Sequence, residues 1–325
     1  MLKDEDKNKV NWLPRQSNIV KPLISICIPT FNRSEYLNFL LNGICLQVGA
    51  QSENIEIVVS DNASTDSTYN IVLEQQEKGI NIRYSRSYRN LGLDRNIRNS
   101  VRASTGRYCW LMGDDDAVNN DAISMVVQYL KIYNPEIIIG NRVMCDDNLN
   151  VISYTPDIET DEQFLLYDCI DRNNLIDYFN KTRSTTGMFN FLSTIIVNRD
   201  SWLKSPELPG MSQSLFPHVY KIMDILRNQA GRLMYLNQPL VYARHSNRLN
   251  DELSPNSEFK GWQAHFSGNI EVADHFYSDH ELAYTAFLSP VIKIIKHGKD
   301  AYLNMANADG KLEEALIVLK KLKLA

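Results

Sequence analysis

From Leu23 onward, short β-branched and aliphatic runs alternate with longer stretches whose apolar positions recur at helical spacing. Leu23–Ile28 reads as a buried strand that Pro29 stops. Ser34 is placed to cap a helix whose Tyr36, Leu37, Phe39, Leu40 and Ile44 share a face. Ile55–Ser60 predicts a second strand, the polar cluster Asp61–Asp66 a loop, and Thr68–Glu77 a helix ended at Gly79. A third strand over Ile80–Ser85, a loop over Tyr88–Gly92 and a helix to Ala103 follow, and Tyr108–Met112 predicts a fourth strand behind Gly106.

Beyond a helix expected to start near Ala117, the pattern loosens. Ala122–Ile132 reads as helix, Glu136–Gly140 as a short strand, and Cys145 to Thr160 as a polar hairpin or loop. Phe191–Val197 reads as an apolar strand, Phe216–Leu226 as a helix, and Leu233–Leu236 and Leu240–Ala243 as short strands. Helix is expected over most of the chain from Leu249, ending in Lys311–Leu324. This alternation predicts a doubly wound, mostly parallel α/β sheet with a C-terminal helical extension.

Ligands of such sheets sit beyond the carboxyl ends of the strands. Four polar clusters fall at those ends: Thr30–Arg33, Asp61–Asp66, Arg89–Asn90 and Asp114–Asp116. Three successive carboxylates at the rim of a core repel one another; two unit charges about 4 Å apart cost about 4 kcal/mol at a protein-like dielectric. Either the triplet is a solvated acidic turn or it holds a cation, and its oxygen donors suit Mg²⁺ or Mn²⁺. The convergence of four clusters on one edge favours the cation.

The 325 residues leave room for one large α/β domain with an appendage, or for two modest domains. A net charge of −5 argues against a nucleic-acid partner, although Lys and Arg gather between Arg83 and Arg107 and hint at a local anion site. The five cysteines form no CxxC pair and read as reduced core thiols. Met1–Val10 is polar and unlike a signal peptide, and no apolar run approaches the ~20 residues of a membrane span, so the expected setting is cytoplasmic.

Glycine fingerprints are missing. Pro29–Arg33 follows the first strand where a dinucleotide fold would place G-x-G-x-x-G, and no P-loop occurs. A sugar nucleotidyltransferase would also want a glycine-rich loop there. What remains is a nucleotide site built from side chains.

The ordered segments Ile24–Arg33, Ile57–Asp66, Arg89–Asn96 and Gly106–Asp116 together resemble the family-2 glycosyltransferases of the GT-A fold. The nearest branch is the bacterial O-antigen abequosyltransferase-like enzymes, with Ser-Asp-Asn-Ala-Ser-Thr-Asp after strand two. The resemblance implies a nucleotide-sugar-binding half over 21–118, an acceptor-binding half over 119–248 and a C-terminal helical region over 249–325, behind a polar arm over 1–20. It further implies that Pro29, Thr30, Asn32 and Arg33 line the nucleotide pocket and that Asp61 bonds the base edge. Arg95 and Asn96 would face the diphosphate or hold the loop over it, with Arg95 as a plain solvent-facing charge the alternative. Asp66 reads as a helix cap beside the site.

The acidic triplet departs from the family's usual Asp-x-Asp-Asp, because Gly113 stands where the first Asp would be. Asp115 and then Asp116 are the implied metal ligands, with Asp114 turned to the ribose or donor sugar. His245, in a late segment like those that complete the metal shell in many relatives, is a third metal candidate. No Glu-Asp pair occurs between Gly210 and Lys221, where many relatives carry the base. His218, as a near-neutral group, and Asp224 are the catalytic candidates.

The implied reaction is metal-dependent inverting transfer from a nucleoside-diphosphate sugar to a saccharide hydroxyl, in surface polysaccharide or O-antigen synthesis. The alternatives are a decayed nucleotide-sugar-binding protein and a sugar nucleotidyltransferase. Leu312, Ala315, Leu316, Leu319 and Leu322 form one helical face flanked by lysines. That face would pack onto the catalytic domain or a second copy, or rest peripherally on the inner face of the cell membrane, where a lipid-linked acceptor would lie. Specificity falls to the irregular stretch Met144–Met211.

Overall fold

Ile24, Ile26 and Ile28 alternate with Ser25 and Cys27, and all five are fully buried, so the first long strand is covered on both faces. The computed structural model describes residues 11–12, 21–49, 53–209, 211, 214, 216–229, 231–244 and 258–324. Its strands are β1 (Asn11–Trp12), β2 (Ile24–Thr30), β3 (Ile55–Asp61), β4 (Ile82–Arg86), β5 (Tyr108–Leu111), β6 (Ala117–Val118), β7 (Ile137–Cys145), β8 (Val151–Ser153), β9 (Phe164–Asp168), β10 (Ile195–Asn198) and β11 (Arg232–Arg244). The helices are α1 (Ser34–Val48), α2 (Thr68–Glu77), α3 (Leu93–Ala103), α4 (Ala122–Tyr133), α5 (Arg172–Lys181), α6 (Arg199–Lys204), α7 (Pro217–Asn228), α8 (Glu258–Tyr277), α9 (Glu281–Ala308) and α10 (Leu312–Lys321).

One sheet carries all the strands in the order β1-β4-β3-β2-β5-β10-β7-β11-β6, with β8 on β7 and β9 on β11. The pairs among β2, β3, β4 and β5 are parallel, as is β7 with β11, while β10 is antiparallel to both its neighbours. The expected mostly parallel α/β sheet with C-terminal helices is what forms. On one face Ile26, Ile57 and Trp110 pack with Leu37, Leu40 and Ile44 of α1 and with Ile123 and Val126 of α4. On the other, Cys27, Val58 and Cys109 pack with Ile97 and Val101 of α3 and with apolar residues of α5, α7 and the last three helices.

Several boundaries differ from the pattern reading. Pro29 does not stop β2, because β5 pairs with it only as far as Cys27 and the ring falls beyond that ladder. Ser34 does not cap α1; the Asp66 carboxylate, from the loop after β3, accepts from the Ser34 N–H at 2.9 Å. Ala117 opens no helix but a short strand recruited by β11. Leu233–Leu236 and Leu240–Ala243 are one strand with irregular register at Pro239. Residues 192–194 form a tight helical turn before β10. β9 and α5 were not foreseen.

Of the expected arm over 1–20, only Asn11–Trp12 are described; they pair with β4. In α10, Ala315, Val318 and Leu319 are buried, and Lys321 and Lys323 pair with Asp274 and Glu281 of the neighbouring helices. Of the expected face, Ala315, Leu319 and Leu322 therefore pack on their own chain, while Leu312 and Leu316 stay exposed. Among the described residues no helix is long and apolar enough to cross a membrane.

Candidate active site

Thr30, Asp61 and Arg86 lie in register at the carboxyl ends of β2, β3 and β4, and the chain leaving β5 brings Gly113–Asp116 to the same edge. Asp114 and Asp116 are each only 4 % exposed, whereas Asp115 is more open. The Arg33 guanidinium lies 3.2 Å from Asp114 Oδ1 and 3.3 Å from Asp115 Oδ2, clamping the two carboxylates. Burial pushes Asp114 up to about 6 against the pull of Arg33. Burial, then the charge of Asp115, pushes Asp116 up to about 7. The buried Thr30 hydroxyl lies beside Asp114 and favours its charged form.

Asp116 is held from two further elements. The Ser193 hydroxyl donates to its Oδ2 and accepts from the Gly113 N–H at 2.9 Å, and the Arg244 N–H donates to its Oδ1 at 3.3 Å. The Arg244 side chain then donates to the Asp115 carbonyl and, at 2.9 Å, to that of Asp147, over the rings of Tyr36 and Phe39. A Cβ placed on Gly113 would lie 3.2 Å from Asp115 Oδ1, 3.3 Å from Asp116 Oδ2 and 3.3 Å from Ser193 Oγ. Two carboxylate oxygens thus converge on one small space that a side chain would press against.

The other predicted residues take definite places. Asp61 is buried, with Tyr84 Oη donating at 2.5 Å, the Ser64 N–H at 2.7 Å and Arg86 Nε at 3.5 Å. Asn32 sits at φ 51°, donates its N–H to Ser64 Oγ and accepts from the Thr65 N–H, joining the loops after β2 and β3. Asn96 is buried and turned inward: it accepts from Ser60 Oγ at 2.7 Å and donates to the Thr30 carbonyl at 3.2 Å, bracing the strand ends. Arg95 is exposed, and Pro29 is buried in β2. Asp66 accepts from the Thr68 N–H and hydroxyl as well as from Ser34, so it ties the starts of two helices.

His218 is not the near-neutral group its position suggested. It is buried at the start of α7, its Nε2 lies 2.9 Å from the Phe189 carbonyl, and burial depresses it to about 4. Asp224 is buried too, and its two oxygens accept from Asn228 and Gln229 at the end of its own helix. His245 lies outside the described residues. Pattern reading missed Ser193, which hides in an apolar run, and the role of Arg244, which stands next to His245 in the late segment.

Two oxygens of the triplet, the Thr30 hydroxyl and a guanidinium at a parallel sheet edge form a donor set that fits a hard divalent cation and a phosphate. Among the described residues no group of three or more His, Cys, Asp or Glu is arranged to hold a metal, so the fit rests on two carboxylates. The sequence profile of glycosyl transferase family 2 matches residues 25–199. The abequosyltransferase RfbV of Salmonella typhimurium is 31 % identical over 276 residues, covering 83 % of this chain and 80 % of that protein. Among solved structures, TarS of S. aureus with UDP-GlcNAc superposes with a TM-score of 0.63 at 14 % identity, over 92 % of this chain and 81 % of that one. The mannosyltransferase PcManGT of Pyrobaculum calidifontis, with GDP-Man and Mn²⁺, gives 0.55 at 12 % identity over 96 % and 90 %. At such identities the structural likeness establishes the GT-A fold, while the profile and the sequence relative establish the family. The chain belongs to glycosyl transferase family 2 and is a glycosyltransferase.

Proposed function

We propose that this enzyme moves a sugar, of the deoxyhexose class, from a nucleoside diphosphate to a hydroxyl of a saccharide in bacterial O-antigen or related polysaccharide synthesis, with inversion and with a divalent cation. The sugar class and setting rest on the likeness to the abequosyltransferase. The cation rests on one observation: Asp115 and Asp116 present oxygens to a single space beside Gly113, at an energetic cost that a bound cation would relieve. Asp115 and Asp116 would hold Mg²⁺ or Mn²⁺, which neutralises charge on the departing diphosphate. Arg33 secures Asp114 and Asp115, Thr30 places its hydroxyl beside Asp114 on the ribose or phosphate side, and Asp61 and Asn32 line the nucleotide side. The acceptor, lipid-linked or free, would approach from the 119–248 half, and the enzyme would work in the cytoplasm or at its membrane face.

The test is release of nucleoside diphosphate from a panel of UDP-, GDP-, CDP- and dTDP-linked sugars with Mn²⁺ or with EDTA. Asp115→Asn should lower metal-dependent release by on the order of 10²-fold or more with an unchanged melting temperature. Full activity in that variant, or in EDTA, would remove the metal assignment.

A further inference from the structure

Residues 184–194, between α5 and β10, touch every part of the acceptor side. Ser184 donates to Asp157, the Phe189 carbonyl meets His218, Phe191 lies under Arg142, and Ser193 holds Asp116. Phe189 sits at φ 67°, a left-handed conformation that a bulky residue adopts only under constraint. The Arg142 guanidinium lies 4.1 Å above the Phe191 ring, within reach of the charges of Asp157 and Asp116. Asp157 is 5 % exposed and fixed from three directions: its N–H donates to Asn141 Oδ1 at 3.0 Å, its carbonyl accepts from the Arg183 N–H at 2.8 Å, and its Oδ1 accepts from Ser184. Its Oδ2 has no donor among the described residues, and neither does the buried Oδ1 of Asn190 next to Phe191. Tyr154, 43 % exposed, joins the cluster through Asn141 Nδ2 at 3.3 Å, so the cluster borders the surface.

Two buried acceptors without donors, beside an aromatic ring and a guanidinium one side chain away from the metal-binding triplet, want the hydroxyls of a sugar. We infer that Asp157, Asn190, Arg142 and Phe191 form the acceptor-sugar subsite and that Asp157 Oδ2 takes the proton of the attacking hydroxyl. This rests on the glycosyl-transfer reading above. As the acceptor oxygen bonds the anomeric carbon, its proton passes to Asp157 and the carbon–oxygen bond to the diphosphate breaks, its electron pair leaving with the phosphate. Ser184 and Arg142 are positioning residues. Asp224 has both oxygens occupied, and His218 has its Nε2 committed to a carbonyl.

Burial raises Asp157 to about 6, with the Ser184 hydroxyl and then Arg142 drawing it down; Tyr154, Tyr178 and Tyr235 also face it and stay neutral. A base acts deprotonated, so the rate should fall as pH drops through about 6. The experiment follows nucleoside-diphosphate release from the active donor of the panel, with methyl glycosides as acceptors, across pH 5–9 (a range of about four units, set by the base-catalysis window). Asp157→Asn should bind the donor as wild type does in thermal shift, release it on the order of 10²-fold more slowly, and lose the acid limb. Asp157→Glu, which keeps a carboxylate opposite Arg142, should retain that limb and separate chemistry from folding. An Asn variant within about threefold of wild type, with the acid limb intact, overturns the assignment, since a base is worth far more than that. Failure of the wild-type protein to act on any donor would instead sink the glycosyl-transfer reading on which it stands.

Discussion

Replacing Asp116 by Asn should stabilise the metal-free protein at alkaline pH while disabling it. A carboxylate whose folded pKa is raised destabilises the fold at pH values above its unfolded value. Between about 4 and 7 the folded state keeps a proton that the unfolded state has lost, so the handicap grows with pH and is complete above about 7. The gap between about 7 and the ordinary 3.8 corresponds to about 4 kcal/mol. With Asp116 only 4 % exposed, little of this is screened by solvent. Against it stands one lost hydrogen bond, because the two carboxylate oxygens accept from Ser193 and from the Arg244 N–H and an amide offers only one oxygen; that loss is about 1 kcal/mol. The balance, about 3 kcal/mol, should raise the melting temperature by about 4 °C for a chain of this length. The assay is thermal unfolding of both proteins in EDTA at about pH 8, above the titration window, and at about pH 4.5, near its lower end. The gain should appear at the higher pH and vanish or reverse at the lower. A difference that is absent at pH 8, or the same at both values, refutes the claim that buried charge is what shifts Asp116.

Ser193→Ala leaves Asp116 Oδ2 and the Gly113 N–H without their shared partner and should cost about 2–3 kcal/mol in urea unfolding. The loss should be greater at pH 8 than at pH 5, because that hydroxyl stabilises the charged form. Gly106→Ala would bring a Cβ to 2.5 Å from Ser25 Oγ, 2.7 Å from Ser25 N and 2.9 Å from the Ile24 carbonyl carbon. Backbone cannot yield there, so a destabilisation of about 1–3 kcal/mol should show as a lower urea midpoint.

The donor edge was legible because its information is local. β2, β3 and β5 alternate apolar faces over consecutive residues, and each ends in a polar cluster, so parallel topology alone brings Thr30, Asp61 and the triplet together. The acceptor side is built otherwise. Asp157, Arg142 and the pair Asn190 and Ser193 stand on three separate segments, and the fold of residues 184–194 brings them together. β9 escaped notice because it lies at the sheet margin with Leu166 41 % exposed, so its apolar residues do not alternate cleanly. The role of His218 stayed open for a similar reason. A helix-opening histidine can serve as a base or only pack, whereas every residue of α7 from Pro217 to Leu226 is buried, and burial depresses its proton affinity.

The missing first aspartate of the triplet is a constraint with a structural cause. Any Cβ at residue 113 would stand 3.2–3.3 Å from Asp115 Oδ1, Asp116 Oδ2 and Ser193 Oγ together, so a side chain there must displace the carboxylates or the serine that fixes one of them. The Gly113 N–H is itself bound to Ser193, which donates onward to Asp116. Glycine and serine therefore act as a pair: the first vacates the space, and the second uses it to hold a carboxylate that burial would otherwise leave protonated. Under the proposed metal dependence, the chain supplies two carboxylates rather than three, and the rest of the cation's oxygen shell falls to the donor phosphates and water. That is how Mg²⁺ is usually held where it handles phosphates, and it would make cation affinity in this enzyme dependent on bound donor.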